Sequence, residues 1–258
     1  MNLILFEKKD HIGWFTLNDP DKQNVLSLEL MEDMQSKLNS VTKDQDVKVI
    51  VIRGNGPAFC AGHNMKELVG ENYDINHFRR LFSISSKMMQ TLHQMPQPVI
   101  AQVHGIATAA GCQLVAACDL AIAGENAKFA TPGVKIGLFC STPMVPLCRI
   151  IGRRKALDML MTGREISAKE AMDFGLVNKV VEQNKLAEET EKWAREIAQY
   201  SQHTLEFGKK IFYEQIDQNE DIAYDITKEA ISKNCLSEDA QEGMKAFLEK
   251  RRPKWKNR

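Results

Sequence analysis

The pattern of apolar and polar positions predicts that strands and helices alternate along the first two thirds of the chain. Two short runs rich in β-forming residues, 3–6 and 12–17, flank the polar residues 8–10 and predict a hairpin. Segment 134–139 is apolar but fits a strand and a loop equally well. Further core strands are expected at 47–52, 99–103, 120–123 and 177–181.

Helices are predicted where apolar residues recur three or four positions apart. Ser27 precedes such a run, which continues to Val41, so Ser27 is expected to cap a helix. The segment from Ser167 to Glu170 has the form of a capping box, and Gly175 stands where that helix should end. From residue 186 onward the pattern is mostly helical.

These elements together predict an α/β fold, because alternating strands and helices form a parallel sheet covered by helices. We expect an α/β core over residues 1–195 and a helical region over 196–258. The last third carries aromatic residues that fit an oligomer interface or internal packing equally well. They are Trp193, Phe207, Phe212, Phe247 and Trp255.

Composition narrows the classes of protein. The 258 residues are 43% hydrophobic and 26% charged, as expected for a soluble protein with a core. With 34 basic and 34 acidic residues, the chain has no overall field that attracts nucleic acid or an anionic membrane. No apolar run reaches transmembrane length, and residues 1–6 are too short for a signal segment. We therefore expect a cytoplasmic protein.

The six cysteines do not form a metal or disulfide pattern. None belongs to a CxxC pair, and several lie within apolar runs. We expect buried, reduced thiols and no bound metal.

Candidate chemistry lies where two predicted strands turn into helices. The first corner, 59–68, follows strand 47–52, and the second, 104–114, follows strand 99–103; both are rich in small residues. The first turn of a helix has N–H groups without internal partners, and small side chains let a ligand approach the backbone. Two such corners side by side could each direct one N–H at the same oxygen and stabilise an oxyanion.

Small residues at a helix start also have a simpler explanation, which is tight packing of the helix on the sheet. Each corner taken alone favours that explanation. The residues by themselves therefore predict an α/β protein with a ligand near these corners, where open α/β sheets usually bind their ligands.

Four segments of the chain resemble the crotonase superfamily, also called the enoyl-CoA hydratase/isomerase family. The resemblance implies a spiral core of ββα turns, with C-terminal helices that form a homotrimer or a dimer of trimers. It also implies acyl-CoA thioesters as ligands, with coenzyme A as part of the substrate and no separate cofactor. The segments are 59–67, 98–119, 164–181 and 242–255.

The resemblance also assigns residues to the site. The backbone N–H groups of His63 and Ala110 would form the oxyanion hole, although family members usually have glycine at the second position. Lys250 would reach a CoA phosphate from a neighbouring subunit, although it could equally be a surface charge. The remaining substrate-binding positions would be Lys22, Val25, Ala61, Asn64, Met65 and Lys66.

The sequence departs from the resemblance at the catalytic carboxylates. Hydratases of the family use two glutamates, and this chain has Gln113 and Gly133 at those positions. A glutamine amide does not titrate near neutral pH, so Gln113 orients a water or a carbonyl but is no general base. Hydration by two glutamates and isomerisation by one are both disfavoured. Restoring both carboxylates is expected to give some hydration of crotonyl-CoA.

Other side chains near the site offer weaker candidates. Cys140 would be a nucleophile or base only with a lowered pKa, and an inert packed thiol is the preferred interpretation. Ser141 is a further candidate, but it or Thr142 more often caps the next helix. For His63 we prefer contact or packing over proton transfer.

Three functions follow as hypotheses. The first is an acyl-CoA enzyme, a lyase or isomerase of fatty-acid or acyl-CoA metabolism, that stabilises a thioester enolate. Within it, decarboxylation fits the residues well, because segment 61–63 and the tail 247–251 also resemble the family's malonyl-type-CoA decarboxylases. The second is a protein that binds acyl-CoA without turnover, and the third is a structural or partner-binding protein.

Overall fold

A computed structural model describes residues 2–69 and 74–258 of the chain. Within these ranges the chain forms two sheets surrounded by helices, which confirms the predicted α/β class. The strands are β1 (Ile4–Lys9), β2 (Ile12–Leu17), β3 (Val49–Gly54), β4 (Val99–Val103), β5 (Ile106–Thr108), β6 (Leu120–Gly124), β7 (Lys128–Ala130), β8 (Glu165–Ser167) and β9 (Lys179–Val181).

The helices lie between and after these strands. They are α1 (Leu28–Val41), α2 (Ile75–Gln94), α3 (Ala110–Ala116), α4 (Met144–Ile151), α5 (Arg153–Thr162), α6 (Ala168–Phe174), α7 (Leu186–Ala198), α8 (Gln202–Gln215), α9 (Glu220–Asn234) and α10 (Glu238–Leu248). Short 3₁₀ helices span Pro20–Lys22, Met65–Glu67, Pro132–Ile136 and Gln183–Lys185.

The main sheet has the order β1-β2-β3-β4-β6-β9. Only the β1–β2 hairpin is antiparallel, and the other neighbours pair in parallel. The central strands β3 and β4 are mostly apolar, because helices cover both faces of the sheet. On one face α7 packs on a cluster that includes Trp14 and Val51, and the larger core lies on the other face.

The second sheet has three strands in the order β5-β7-β8. This sheet was not predicted from the sequence, because its strands are each three residues long and show no periodicity. β5 pairs in parallel with β7 and holds the second corner, which connects β4 to α3.

The predicted helix boundaries are largely confirmed. The Ser27 side chain accepts a hydrogen bond from the Leu30 N–H and caps α1. Ser167 and Glu170 form the expected capping box, and Gly175 ends α6 with a left-handed φ of 85°. Segment 134–139, for which a strand and a loop were both predicted, is not a strand: it begins within a 3₁₀ helix and continues as a loop.

The C-terminal helices are fastened to the core by a buried ion pair. Lys209 of α8 lies 2.7 Å from Asp119, which precedes β6. The expected boundary at 195/196 falls inside α7, a helix that packs on the main sheet.

None of the six cysteines forms a disulfide in this structure, and the expectation that they are all buried is wrong. Cys148 and Cys235 are exposed, whereas Cys60, Cys112, Cys118 and Cys140 are buried. Among residues 2–69 and 74–258, no helix has both the length and the apolar character needed to cross a membrane. The same part of the chain contains no group of three or more histidine, cysteine or acidic side chains arranged to hold a metal ion.

Candidate functional site

The two predicted corners lie side by side, because the first pairs with β5 of the second. The Cys60 N–H donates to the Ile106 carbonyl at 3.1 Å, and the Thr108 N–H donates to the Cys60 carbonyl at 3.0 Å. The Thr108 hydroxyl adds a bond of 3.1 Å to the Ala61 carbonyl. The first corner therefore extends the second sheet, and the sheet fixes its position relative to α3.

Two glycines allow this close approach. A Cβ added to Gly111 would lie 2.1 Å from the Cys60 carbonyl oxygen. A Cβ added to Gly62, which has a φ of 97°, would lie 3.4 Å from the Ala110 nitrogen. Gly62 directly precedes His63, so the amides of His63 and Ala110 are brought into the same small region.

Both amides are available to a ligand. The Leu26 N–H donates to Gly62 at 2.7 Å, and the Asn64 N–H donates to Leu26 at 3.4 Å, so the N–H of His63 between them faces away from Leu26. Ala110 is the first residue of α3, where a helical N–H has no internal partner. Across the described ranges, neither amide donates to another residue.

The His63 side chain packs against the fold. Its Nδ1 lies 3.4 Å from the Leu26 carbonyl, and its ring meets the Phe82 ring of α2 edge-on with 5.4 Å between centroids. Burial lowers the pKa of this imidazole and so favours its neutral form. Its Nε2 is buried without a hydrogen-bond partner in the described chain. This arrangement agrees with the packing role that the sequence favoured.

Gln113 lies one turn after Ala110 on α3 and is 4% exposed. Its Oε1 has no hydrogen-bond partner among the described residues. The side chain borders a cleft of about 1370 Å³ between α4 and α8, with Thr142 and Phe212 on other parts of the wall. An unpartnered buried acceptor at this place can receive a hydrogen bond from a ligand or a water.

Position 133 has no room for a side chain. A Cβ added to Gly133 would lie 2.8 Å from the Leu138 carbonyl oxygen and 2.9 Å from the Cys140 sulfur. Burial raises the pKa of the Cys140 thiol. The thiol is therefore a packing group, because a nucleophile or base would need a lowered pKa.

Ser141 does not act as a helix cap or approach the corners. It is exposed, and its hydroxyl donates to the Phe139 carbonyl at 3.2 Å. Pro143 occupies the N-cap position of α4, and no side chain caps that helix. The expectation that Ser141 or Thr142 caps α4 is wrong, since the loop closes on its own backbone instead.

The segments expected to hold the CoA part lie next to each other. The Ala61 N–H donates to the Gln23 carbonyl at 3.0 Å, which sets segment 61–66 beside segment 22–26. Lys22 is exposed and lies 3.2 Å from Asp19, and Val25 is half-buried. Asn64 caps the 3₁₀ helix in which Met65 and Lys66 are exposed, and Ala61 is half-buried. Lys250 follows α10 and is exposed.

Asn24 positions the first corner, a role that was not predicted from the sequence. Its Nδ2 donates to the carbonyls of Asn55 and Ala58 at 2.9 and 2.8 Å, and its Oδ1 accepts from the Asp19 N–H. Asn24 is fully buried with a φ of 55°, a conformation that asparagine tolerates better than most residues. A single asparagine in a polar loop carries no sequence signal for this bridging role.

The geometry at 133 changes the expected result of restoring both carboxylates. We expect Gln113→Glu with Gly133→Glu to lower stability by about 1–3 kcal/mol, because the new side chain overlaps the backbone of the 138–140 segment. Hydration of crotonyl-CoA should then remain near the level of Gln113→Glu alone. Denaturant unfolding and a hydration assay on both variants check this, and full stability together with a gain in hydration would contradict it.

Comparison with known proteins identifies relatives of the whole chain. Residues 7–258 match the family described as enoyl-CoA hydratase/isomerase. The human protein named enoyl-CoA hydratase domain-containing protein 3, mitochondrial, is 46% identical over 246 residues, covering 95% of this chain and 81% of that protein. A putative enoyl-CoA hydratase of Thermus thermophilus is 32% identical over 250 residues, covering 96% and 98%.

Solved structures agree with the family match. The crystal structure of human enoyl coenzyme A hydratase domain-containing protein 3 has a TM-score of 0.95 and 45% identity, covering 98% of this chain and 100% of that one. The enoyl-CoA hydratase structure from Mycobacterium smegmatis has a TM-score of 0.95 and 40% identity, covering 98% of each chain. These similarities confirm the expected crotonase-like fold.

The expectation of a cytoplasmic protein is wrong. The similar proteins of Homo sapiens, Rattus norvegicus, Xenopus laevis and Dictyostelium discoideum are named as mitochondrial, which points to the mitochondrion. The composition and charge of a folded core do not report the compartment, because targeting segments are read separately from the fold.

Proposed function

The chain belongs to the enoyl-CoA hydratase/isomerase family, and from that premise we propose that it binds an acyl-CoA and stabilises a thioester enolate. The thioester oxygen accepts hydrogen bonds from the backbone N–H groups of His63 and Ala110. The observation that carries this proposal is the pair of free amides on adjoining corners. Donors fixed in this way favour the enolate over the neutral thioester, since negative charge builds on the oxygen only as the reaction proceeds.

The side chains around the hole favour an enolate that forms without a protein base. Gln113 does not titrate, Gly133 has no side chain, and burial raises the pKa of the Cys140 thiol. Burial also makes His63 a weaker base than an exposed imidazole. Chemistry that breaks a bond to carbon, rather than one to hydrogen, suits these surroundings.

Decarboxylation of a malonyl-type thioester is such a reaction. The bond between the α-carbon and the carboxylate breaks, CO₂ leaves, and the electron pair moves into the enolate whose oxygen the two N–H groups hold. A proton from water then adds to the α-carbon and gives the acyl-CoA product. The hole supplies the charge stabilisation, and the unpartnered Oε1 of Gln113 supports a role for this side chain in orienting the acyl group.

The CoA part lies along the adjoining segments 22–26 and 61–66, with Lys22 and Lys66 exposed beside it. Acyl-CoA is thus the small-molecule partner. The C-terminal helices present apolar side chains to solvent, among them Phe247 at 83% and Leu248 at 80% exposure. Patches of this kind are covered in an oligomer, and a homotrimer or dimer of trimers would also bring Lys250 to a neighbouring CoA phosphate.

A panel of thioesters tests the proposed function. We expect CO₂ release from malonyl-CoA and little hydration of crotonyl-CoA, because the carboxylates of a hydratase are not at positions 113 and 133. Product analysis by mass spectrometry, with binding measured in parallel by calorimetry, separates the outcomes. Tight binding of a CoA ester without any product would show that the chain binds acyl-CoA without turnover. No binding at all would refute the proposal.

A further inference from the structure

A methyl group flanks one of the two free amides. Ala109, the residue before Ala110, has a φ of 50° and a ψ of −117°. This is the conformation of the first central residue of a type II′ turn, a position that favours glycine because a Cβ is crowded there. Holding a residue with a side chain in such a region costs on the order of 1–3 kcal/mol.

Hydrogen bonds on both sides hold Ala109 in place. Its N–H donates to the Ala130 carbonyl of β7 at 2.9 Å, and its carbonyl accepts from the Gln113 N–H at 3.0 Å. The strained residue is therefore clamped between the second sheet and the first turn of α3. The direction of the Ala109 methyl group is fixed as a consequence.

The backbone angle places the methyl beside the free N–H. In an L residue, a ψ near −117° turns the Cβ almost into line with the nitrogen of the next residue. The Ala109 methyl thus lies alongside the Ala110 N–H. It also faces the first corner, because a Cβ added to Gly62 would lie 2.9 Å from it. A ligand oxygen that accepts a hydrogen bond from the Ala110 N–H must therefore lie close to this methyl.

We propose that Ala109 is a specificity-determining residue that restricts the site to acyl groups with an unbranched α-carbon. The inference rests on the proposed binding of acyl-CoA at the hole. Substituents on the α-carbon are the ligand atoms that enter the hole with the carbonyl oxygen. A straight chain rotates its one carbon substituent away from the methyl, whereas a 2-methyl branch keeps a second carbon near the oxygen.

Butyryl-CoA and isobutyryl-CoA test the proposal, since they have the same atoms and differ only in this branch. Ala109→Gly should raise the affinity for isobutyryl-CoA at least about tenfold more than that for butyryl-CoA, the scale of one methyl group in a tight pocket. Both dissociation constants are measured by calorimetry on the full chain. Ala171→Gly is the control, because it removes a buried methyl from helix α6, outside the two corners.

Stability gives a readout that needs no ligand. Ala109→Gly should raise the melting temperature by relieving the backbone, and Ala171→Gly should lower it because glycine weakens a helix interior. An unchanged affinity ratio with both esters still binding overturns the specificity role alone. A lower melting temperature for Ala109→Gly overturns the strain on which it is built. If wild-type protein binds neither ester, the proposed function fails first, and this inference falls with it.

Discussion

Ala110→Pro is expected to lower turnover of the malonyl-type thioester by about 100- to 1000-fold, the usual effect of removing one oxyanion donor. Proline has no N–H, and Ala110 is the first residue of α3, a position where helices accept proline. The loss should appear in kcat more than in KM, because the hydrogen bond strengthens as charge develops on the oxygen. Steady-state kinetics with malonyl-CoA measure it.

Two variants separate the lost donor from local distortion. Ala110→Gly retains the N–H and should keep activity within a small factor of wild type. Since proline also restricts the residue before it, Ala110→Pro is compared with the same change in an Ala109→Gly background, where no methyl crowds the ring. Turnover that survives in a folded Ala110→Pro protein would show that this amide does not hold the oxygen.

Asp119→Ala should lower the free energy of unfolding by about 3–5 kcal/mol, the range for removing one partner of a buried ion pair. Lys209 is 7% exposed, and its ammonium donates to Asp119 at 2.7 Å and to the carbonyls of Leu92 and Gln97. Burial lowers the pKa of Lys209, and Asp119 opposes that effect, so the ammonium without its partner is left poorly compensated.

Asp119 has further partners that add to the loss. It accepts from the Tyr213 hydroxyl at 2.8 Å and from the Val99 N–H at 2.7 Å. Glu165→Ala is the matched control, because it breaks the exposed pair with Lys128 and should cost at most about 1 kcal/mol. Urea unfolding of both variants measures the difference. Equal costs would mean that burial does not set the strength of the Asp119–Lys209 pair.

The main sheet and its helices were largely predictable, because burial on a regular element leaves a periodic pattern. Val49–Gly54 and Val99–Val103 are mostly apolar, and the helices α1 and α6 begin at recognisable capping residues. The helix Ile75–Gln94 went unnoticed although it has buried residues at helical spacing. The short strands of the second sheet left no such pattern, since three residues are too few to show a period.

The importance of the two corners was predictable from the sequence, and the detailed geometry around them was less so. Small residues at two strand-to-helix corners indicated where a ligand would bind, and the structure brings those corners together. The positive φ of Ala109 could not be predicted from the sequence, because alanine is common in helices and does not indicate such a conformation. Cys140 fills the space beside Gly133 because the loop that carries it folds back there. No local sequence pattern predicts that path of the loop.

The lack of room at position 133 limits which activities the chain can acquire by single substitutions. A carboxylate at position 133 meets the Leu138 carbonyl, which belongs to the main chain and cannot be removed by exchanging one side chain. A carboxylate therefore fits at position 133 only if the neighbouring loop changes its path as well. An exchange at this position alone would cost stability, so acid–base chemistry here would need changes at two places in the chain.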